Sequence, residues 1–194
     1  MKRRALFLII VFLFSACKEK LPVVDDFGNA HYNLVNQNNQ PVLFPDIIKG
    51  KIVVMNYIFT NCPDICPLST NNMRLIQQRL KKEKIENVQF VSLSFDPEFD
   101  TPAVLSKFAE IHSLDLSNWM FLTGDKSVTG AIIKKVGVLA VPNDSTTFKD
   151  GRKIYYYVHT DRIQLSDPEG KIRKNYKGST INVDEIVGDI KSLL

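Results

Sequence analysis

Cysteine and histidine are both scarce in this chain, with three of each among 194 residues. Any thiol or imidazole chemistry therefore rests on a handful of identifiable side chains. There is no internal repeat, no heptad pattern and no second linker. The N-terminal apolar block, Ala5 to Phe14, has ten residues, and no later span follows it. A membrane-crossing helix takes about 20 residues, so an ordinary membrane span is excluded along with solenoids and coiled coils. An excess of one charge is also missing. The chain has 25 Lys and Arg against 21 Asp and Glu, and three of the basic residues (Lys2, Arg3, Arg4) lie in the first sixteen. Without that segment 22 basic residues oppose 21 acidic ones, which gives no argument for nucleic acid as a partner. Lys81-Lys82-Glu83-Lys84 reads as a solvated helix end.

What is present begins with an address. A basic start, the short apolar block and Phe14-Ser15-Ala16-Cys17 read as a secretory signal ending in a lipobox-like site. It is similar to a bacterial lipoprotein signal, with Phe14 where leucine is more usual. Cleavage makes Cys17 the lipidated N-terminus; the alternative is an uncleaved signal anchor with a stray Cys17. Both predict an exported domain tethered to a membrane, on the periplasmic side of a bacterial envelope. The chain then divides into a signal (1–16), a tether (17–30, polar to about Asp26) and one folded domain (31–194). Removing 16 of 194 residues leaves 178, enough for a single full core.

Along that domain, Tyr32 to Val42 reads as a polar hairpin around Asn36–Gln40. Ile52 to Phe59 is a buried strand, Leu68 to Lys82 a helix, and Val88 to Ser94 an interior strand. Thr101-Pro102 starts a helix, with threonine as cap and proline at the first position, running to about Ile111. Trp119 to Leu122 is a short strand, and Lys126 to Val136 a helix ending at Gly137. Ile154 to His159 and Arg162 to Leu165 alternate like paired strands. Asp167-Pro168-Glu169-Gly170 is a turn into a strand from Lys171 to Tyr176, and Val183 to Leu194 closes as an amphipathic helix. Pro142 to Lys153, rich in Asn, Asp, Ser, Thr and Lys, is read as a solvated insertion, with a mobile loop as the alternative. Strands alternating with helices, then a hairpin and helix, imply an α/β three-layer sandwich with a mixed central sheet.

The chemistry concentrates at Cys62-Pro63-Asp64-Ile65-Cys66-Pro67. Both thiols lie where a strand ends and a helix begins, and the positive end of a helix favours thiolate. A dithiol at the first helix start is the thioredoxin-like arrangement. A bridge across four residues closes too small a loop to constrain the unfolded chain much, so a purely structural disulfide is disfavoured. Redox activity or soft-metal binding remains. A third ligand would have to come from elsewhere. His31, near the tether, and His112, at a helix end, read as ordinary exposed histidines. His159 ends a strand and shares a face with Tyr155 and Tyr157. On those grounds alone it is a packing or capping residue.

Four stretches together resemble the Sco/SenC family, membrane-tethered copper chaperones of cytochrome c oxidase assembly. They are Thr60-Asn61-Cys62-Pro63-Asp64-Ile65-Cys66-Pro67; Ser94 to Pro102 with its Asp-Pro and Asp-Thr-Pro elements; Phe121-Leu122-Thr123-Gly124; and Val158-His159-Thr160 with Leu165 to Gly170. The resemblance covers about Leu34 to Leu194, with His159 lying 93 residues after Cys66. It implies a thioredoxin-like fold with an extra N-terminal hairpin and a C-terminal hairpin insertion. It also implies copper, Cu(I) or Cu(II), held by Cys62, Cys66 and His159. Asp96 and Asp100 then lie near the site, where they orient the histidine, meet a partner, or do only turn and cap work. The partners it implies are the copper-site subunit of the oxidase and another copper carrier. Relatives usually have Asp-His-Ser where this chain has Val158-His159-Thr160, so carboxylate support of the imidazole is missing or comes from elsewhere.

Two functions follow. One is copper delivery by ligand exchange to a binuclear copper site, or maintenance of the thiols there. The other is an enzyme, a thiol–disulfide oxidoreductase acting on exported proteins. A spacing of three residues between the cysteines, instead of the two of the usual redox motif, weakens the second.

Overall fold

The computed structural model describes residues 21–149 and 153–194; the signal, Cys17 and the first part of the expected tether lie outside them. In chain order the described elements are β1 (Asp25–Asp26), β2 (Tyr32–Asn36), β3 (Pro41–Phe44), β4 (Ile52–Ile58), α1 (Ile65–Lys82), β5 (Val88–Ser94), α2 (Pro102–Ile111), β6 (Trp119–Thr123), α3 (Lys126–Lys135), β7 (Ala140–Thr147), β8 (Lys153–His159), β9 (Ile163–Ser166), β10 (Lys171–Tyr176) and α4 (Val183–Ser192).

The centre of the molecule is β4 and β5, and every residue of both is buried. Apolar, β-branched runs of this kind are stable only where both sheet faces are covered, which makes the architecture three-layered. Each fully buried Ile, Val, Leu or Phe side chain here contributes roughly 1.5–3 kcal/mol. Strands β4, β5 and β6 run parallel, while β9 pairs antiparallel with β4 and β10 antiparallel with β9. The sheet order is β1-β10-β9-β4-β5-β6-β2-β3. This is the expected mixed, thioredoxin-like sheet. The N-terminal hairpin β2–β3 forms the edge beyond β6, and β9–β10 close across the Asp167–Gly170 turn. In that turn Asp167 accepts backbone N–H groups of Glu169 and Lys171, and Gly170 adopts φ 77°. Thr101 caps α2 by accepting the Val104 N–H, with Pro102 at the first turn.

Four expectations change. Helix α1 begins at Ile65, three residues before Leu68, because Pro67 sits in the first turn, where its missing N–H would have had no helical partner. Cys66 is thereby inside the helix and Cys62 in the loop before it. The strand carrying His159 does not pair with the strand after it: β9 is fully buried between β4 and β10. Instead β8 pairs antiparallel with β7 as a separate two-stranded sheet, with Ala140 opposite His159 and Val141 opposite Val158. So the segment read as a solvated insertion or loop is largely the other arm of this ribbon. Its alternation is hidden by Pro142 and by a register shift between Pro142 and Ser145. Finally, the described part of the expected tether packs on the fold: β1 pairs with β10, and Phe27 is buried edge-on against Phe44. Among the described residues no helix is long and apolar enough to cross a membrane.

Candidate metal centre

The loop between β4 and α1 delivers Cys62, and the first turn of α1 delivers Cys66. Cys62 N–H bonds to the Phe59 carbonyl at 3.2 Å, which turns the chain as it leaves the strand. Four residues on, the Cys66 N–H, one of the orphan donors of the α1 N-terminus, points at the Cys62 sulfur, 3.4 Å away. Cys66 is fully buried and Cys62 nearly so; neither is in a disulfide.

The ribbon delivers the imidazole. His159 Nε2 lies 3.9 Å from the Cys66 sulfur. One ligand atom from each of Cys62, Cys66 and His159 can be chosen so that all lie within 4.8 Å of one another. A trigonal ion with bonds of roughly 2.0–2.3 Å needs its ligands about 4 Å apart, so a sub-ångström to ångström contraction suffices. A cavity of about 370 Å³ opens on Cys62, walled by Pro63–Ile65 on one side and Tyr157 and His159 on the other. A larger one, about 540 Å³, lies at the opposite end of the parallel strands among Lys51, Lys84, Asn87 and Asn118, and is lined by no thiol or imidazole.

The histidine is oriented from behind. Its Nδ1 sits 3.2 Å from the Thr160 carbonyl, which can only accept, so Nδ1 carries the proton and Nε2 faces the sulfurs. The orienting contact that the resemblance led one to expect from a flanking Asp is made here by a backbone carbonyl. Its ring packs against Phe95 (5.2 Å between centroids) and edge-on to Phe59 (6.0 Å), the residues that follow β5 and β4.

The two thiols differ sharply. The hydrogen bond from Cys66 draws the Cys62 thiol down to about 4 against the opposing effect of burial, with His159 and backbone N–H groups adding to the stabilisation of thiolate. The same contact, seen from the other sulfur, pushes Cys66 far up, and burial adds to it. Burial works against the His159 imidazolium, but the Cys62 sulfur and the Thr160 carbonyl outweigh it and raise its pKa.

Asp96 and Asp100 both lie at the site's edge, and among the described residues neither hydrogen-bonds to His159. Asp100 is fully buried and accepts the Thr60 N–H and hydroxyl and the Ser94 hydroxyl, the last at 2.6 Å. It thus ties the start of the cysteine loop to the end of β5. Asp96 accepts the hydroxyls of Tyr155 and, at 3.3 Å, Tyr157. His31 pairs with Asp46, and His112 packs on Phe108; neither joins the centre. Asp64 is exposed at the N-cap of α1. Thr60, Ser94 and Phe95 fall in the stretches that carry the resemblance, and Phe59 ends the buried strand, but sequence reading assigned none of them, nor the two tyrosine hydroxyls, a role at this site. For Tyr155 and Tyr157 the alternation that put them on the His159 face was the available signal.

Comparison with known proteins fits this geometry. A family model described as SCO1/SenC matches residues 24–194. A SCO1 protein homolog of Bacillus subtilis is 31% identical over 186 residues, covering 95% of this chain and 92% of its own length. A SCO1/SenC family lipoprotein of Bacillus anthracis superposes with TM-score 0.71 at 34% identity, covering 84% of this chain and 93% of that one. ScoI of Bradyrhizobium japonicum, solved with copper bound, superposes with TM-score 0.70 at 28% identity, covering 85% and 98%. With a matching model over nearly all described residues and a relative 31% identical over 92% of its own length, the chain belongs to the SCO1/SenC family.

Proposed function

We propose that this protein is an exported, lipid-anchored carrier that holds one copper ion on Cys62, Cys66 and His159. It passes the ion to the binuclear copper site of a terminal oxidase. The observation that carries the reading is the convergence of two thiols and one imidazole within 4.8 Å. Two sulfurs and a nitrogen are a soft donor set suited to Cu(I), and an added weak ligand suits Cu(II). The copper-bound Bradyrhizobium japonicum relative supports the choice of ion.

This chain's residues perform distinct steps. Cys62, already biased to thiolate, meets the incoming ion from the open cavity. Cys66 gives up its proton on loading, since both thiols must be ionised to ligate. His159 closes the site through Nε2. Delivery reverses this order as a recipient's thiolates displace the three ligands in turn.

A second reading rests on the same low-pKa Cys62 beside a reduced Cys66. Cys62 thiolate attacks a target disulfide and expels one target thiolate, forming a mixed disulfide. Cys66 then attacks Cys62, releasing the second target thiolate and leaving Cys62–Cys66 oxidised. One substitution separates the two. In purified, reduced protein, His159→Ala is expected to weaken copper binding at least about tenfold, the loss seen even for partners one shell further out. Disulfide reductase activity is expected to stay within about twofold. Undiminished copper binding would remove His159 from the ligand set.

A further inference from the structure

We infer that Tyr155 and Tyr157 are positioning residues for His159, acting together through the carboxylate of Asp96. The inference rests on the copper reading for its functional meaning, but its geometry stands without it.

The sulfurs and the imidazole come from different sheets. Cys62 lies in the loop after β4 of the eight-stranded sheet and Cys66 in the first turn of α1 that follows it; His159 ends β8, in the two-stranded ribbon. A two-stranded ribbon has little stability of its own, so its place over the cysteines depends on what ties it down. At its base Thr160 N–H reaches the Leu139 carbonyl and the Thr160 hydroxyl accepts the Leu139 N–H, each at 2.9 Å. These close the ribbon on itself. Toward the body, Tyr155, Tyr157 and His159 face inward against Phe59, at ring distances of 6.3, 5.0 and 6.0 Å. Tyr156 and Val158 face outward and are about half exposed. Ring packing of this kind holds a surface down but leaves it free to slide or tilt.

The two hydroxyls supply direction. Tyr155 donates to one oxygen of Asp96 and Tyr157 to the other. Asp96 is buried and itself fixed: its N–H bonds to the Ser94 hydroxyl at 3.0 Å, and its carbonyl accepts from Phe99 and Asp100. Ser94 ends β5, the strand hydrogen-bonded along its whole length to β4. The histidine and the thiols are thereby referenced to one rigid edge. Tyr157 precedes His159 by two residues, about 7 Å of strand, so slack at the carboxylate reaches the ring almost undiminished.

Packing does not need these polar atoms. Phenylalanine would fill the same space, and burying a carboxylate with two hydroxyls is unfavourable unless each bond is made. What the arrangement adds is a fixed register, which a metal site requires to about half an ångström.

The test uses the full-length protein. Tyr155→Phe/Tyr157→Phe removes two oxygens and keeps both rings; Tyr32→Phe removes a hydroxyl on β2 of the N-terminal hairpin, outside the cavity that opens on Cys62, and serves as control. Two readouts are taken: Cu(I) affinity by competition with a chromophoric chelator, and the NMR signals of the His159 ring in metal-free protein. The double variant is expected to bind Cu(I) about tenfold more weakly and to show a broadened or displaced His159 signal, with the melting temperature within a few degrees of wild type. Tyr32→Phe is expected to change neither, and Asp96→Asn, which keeps one acceptor and offers a donor, to restore most of what Asp96→Ala loses. A His159 signal and affinity unchanged in the double variant overturn the inference. If instead wild type and His159→Ala bind copper alike, the ligand reading fails, and the metal-free signal still decides the positioning claim. Should the double variant not fold, the Asp96→Asn and Asp96→Ala pair decides it by the same two readouts.

Discussion

Cys62 and Cys66 cannot both ionise cheaply at this buried site, because the contact between the two thiols that lowers the pKa of Cys62 raises that of Cys66, so one proton stays with the pair until an ion arrives. Asp100 is the carboxylate that braces this loop, and it is held under tension of a different kind. Burial dominates the hydrogen bonds from Ser94 and Thr60 and raises its pKa from 3.8 to about 6. A carboxyl group that keeps its proton more tightly folded than unfolded weakens the fold as it ionises. The penalty is absent below about pH 4, grows as pH rises toward 6 and is complete above it. A shift of this size corresponds to something on the order of 2–3 kcal/mol. Chemical denaturation of metal-free wild type and Asp100→Asn at pH 4 and pH 7.5 is the check. The stability of wild type relative to the variant should fall by that order between the two pH values. A difference independent of pH would remove Asp100 as its source.

Among the elements, the ribbon of β7 and β8 stands apart. β4 and β5 are paired on both edges and buried throughout, whereas the ribbon pairs only within itself and shows Val141, Tyr156 and Val158 to solvent. Amide hydrogen exchange should therefore open β8 at a free energy well below global unfolding, with β4 and β5 exchanging only through it. Equal protection of β8 and β4 amides would show the ribbon to be part of the main cooperative unit. The same contrast explains what the sequence disclosed. β4, β5 and α2 were legible because burial on both faces leaves continuous apolar runs, and Thr101-Pro102 is a local start signal. β8 was legible as a strand from its alternation, but its partner was not. β7 interleaves Pro142, Asn143 and Ser145 around a register shift, so nothing periodic marks it. The helix start was missed because Pro67 looks like a barrier and, in a first turn, is none. Cys62 and Cys66 declared themselves by spacing. His159 needed the family resemblance, because its nearness to the sulfurs is made by a ribbon folding back across 93 residues.

For the whole molecule, charge balance decides what can hold it to a membrane. From Cys17 onward 22 basic residues face 21 acidic ones, and the lysines at the N-terminal side of the fold are partly neutralised: Lys135 and Lys171 by Asp25 and Asp26, Lys49 by Asp46. Such a surface offers an anionic bilayer little attraction, since each juxtamembrane basic residue is worth only about 1 kcal/mol before its counter-charge is subtracted. No described helix spans a membrane. On the proposed reading, tethering would depend on the segment before residue 21, through acyl chains on Cys17 or through an uncleaved apolar block from Ala5 to Phe14. Two chains hold stably where one alone binds marginally. The two routes give opposite outcomes for Cys17→Ser. In a bacterial host, wild-type protein should fractionate with membranes and resist a high-salt wash, as a lipid anchor does and an electrostatic contact does not. If Cys17 carries the anchor, Cys17→Ser should lose the lipid-derived mass at its N-terminus, and any membrane retention should coincide with an uncleaved chain. If wild-type protein carries no lipid-derived mass and Cys17→Ser fractionates as wild type does, the apolar block alone is the anchor, and Cys17 is a bystander.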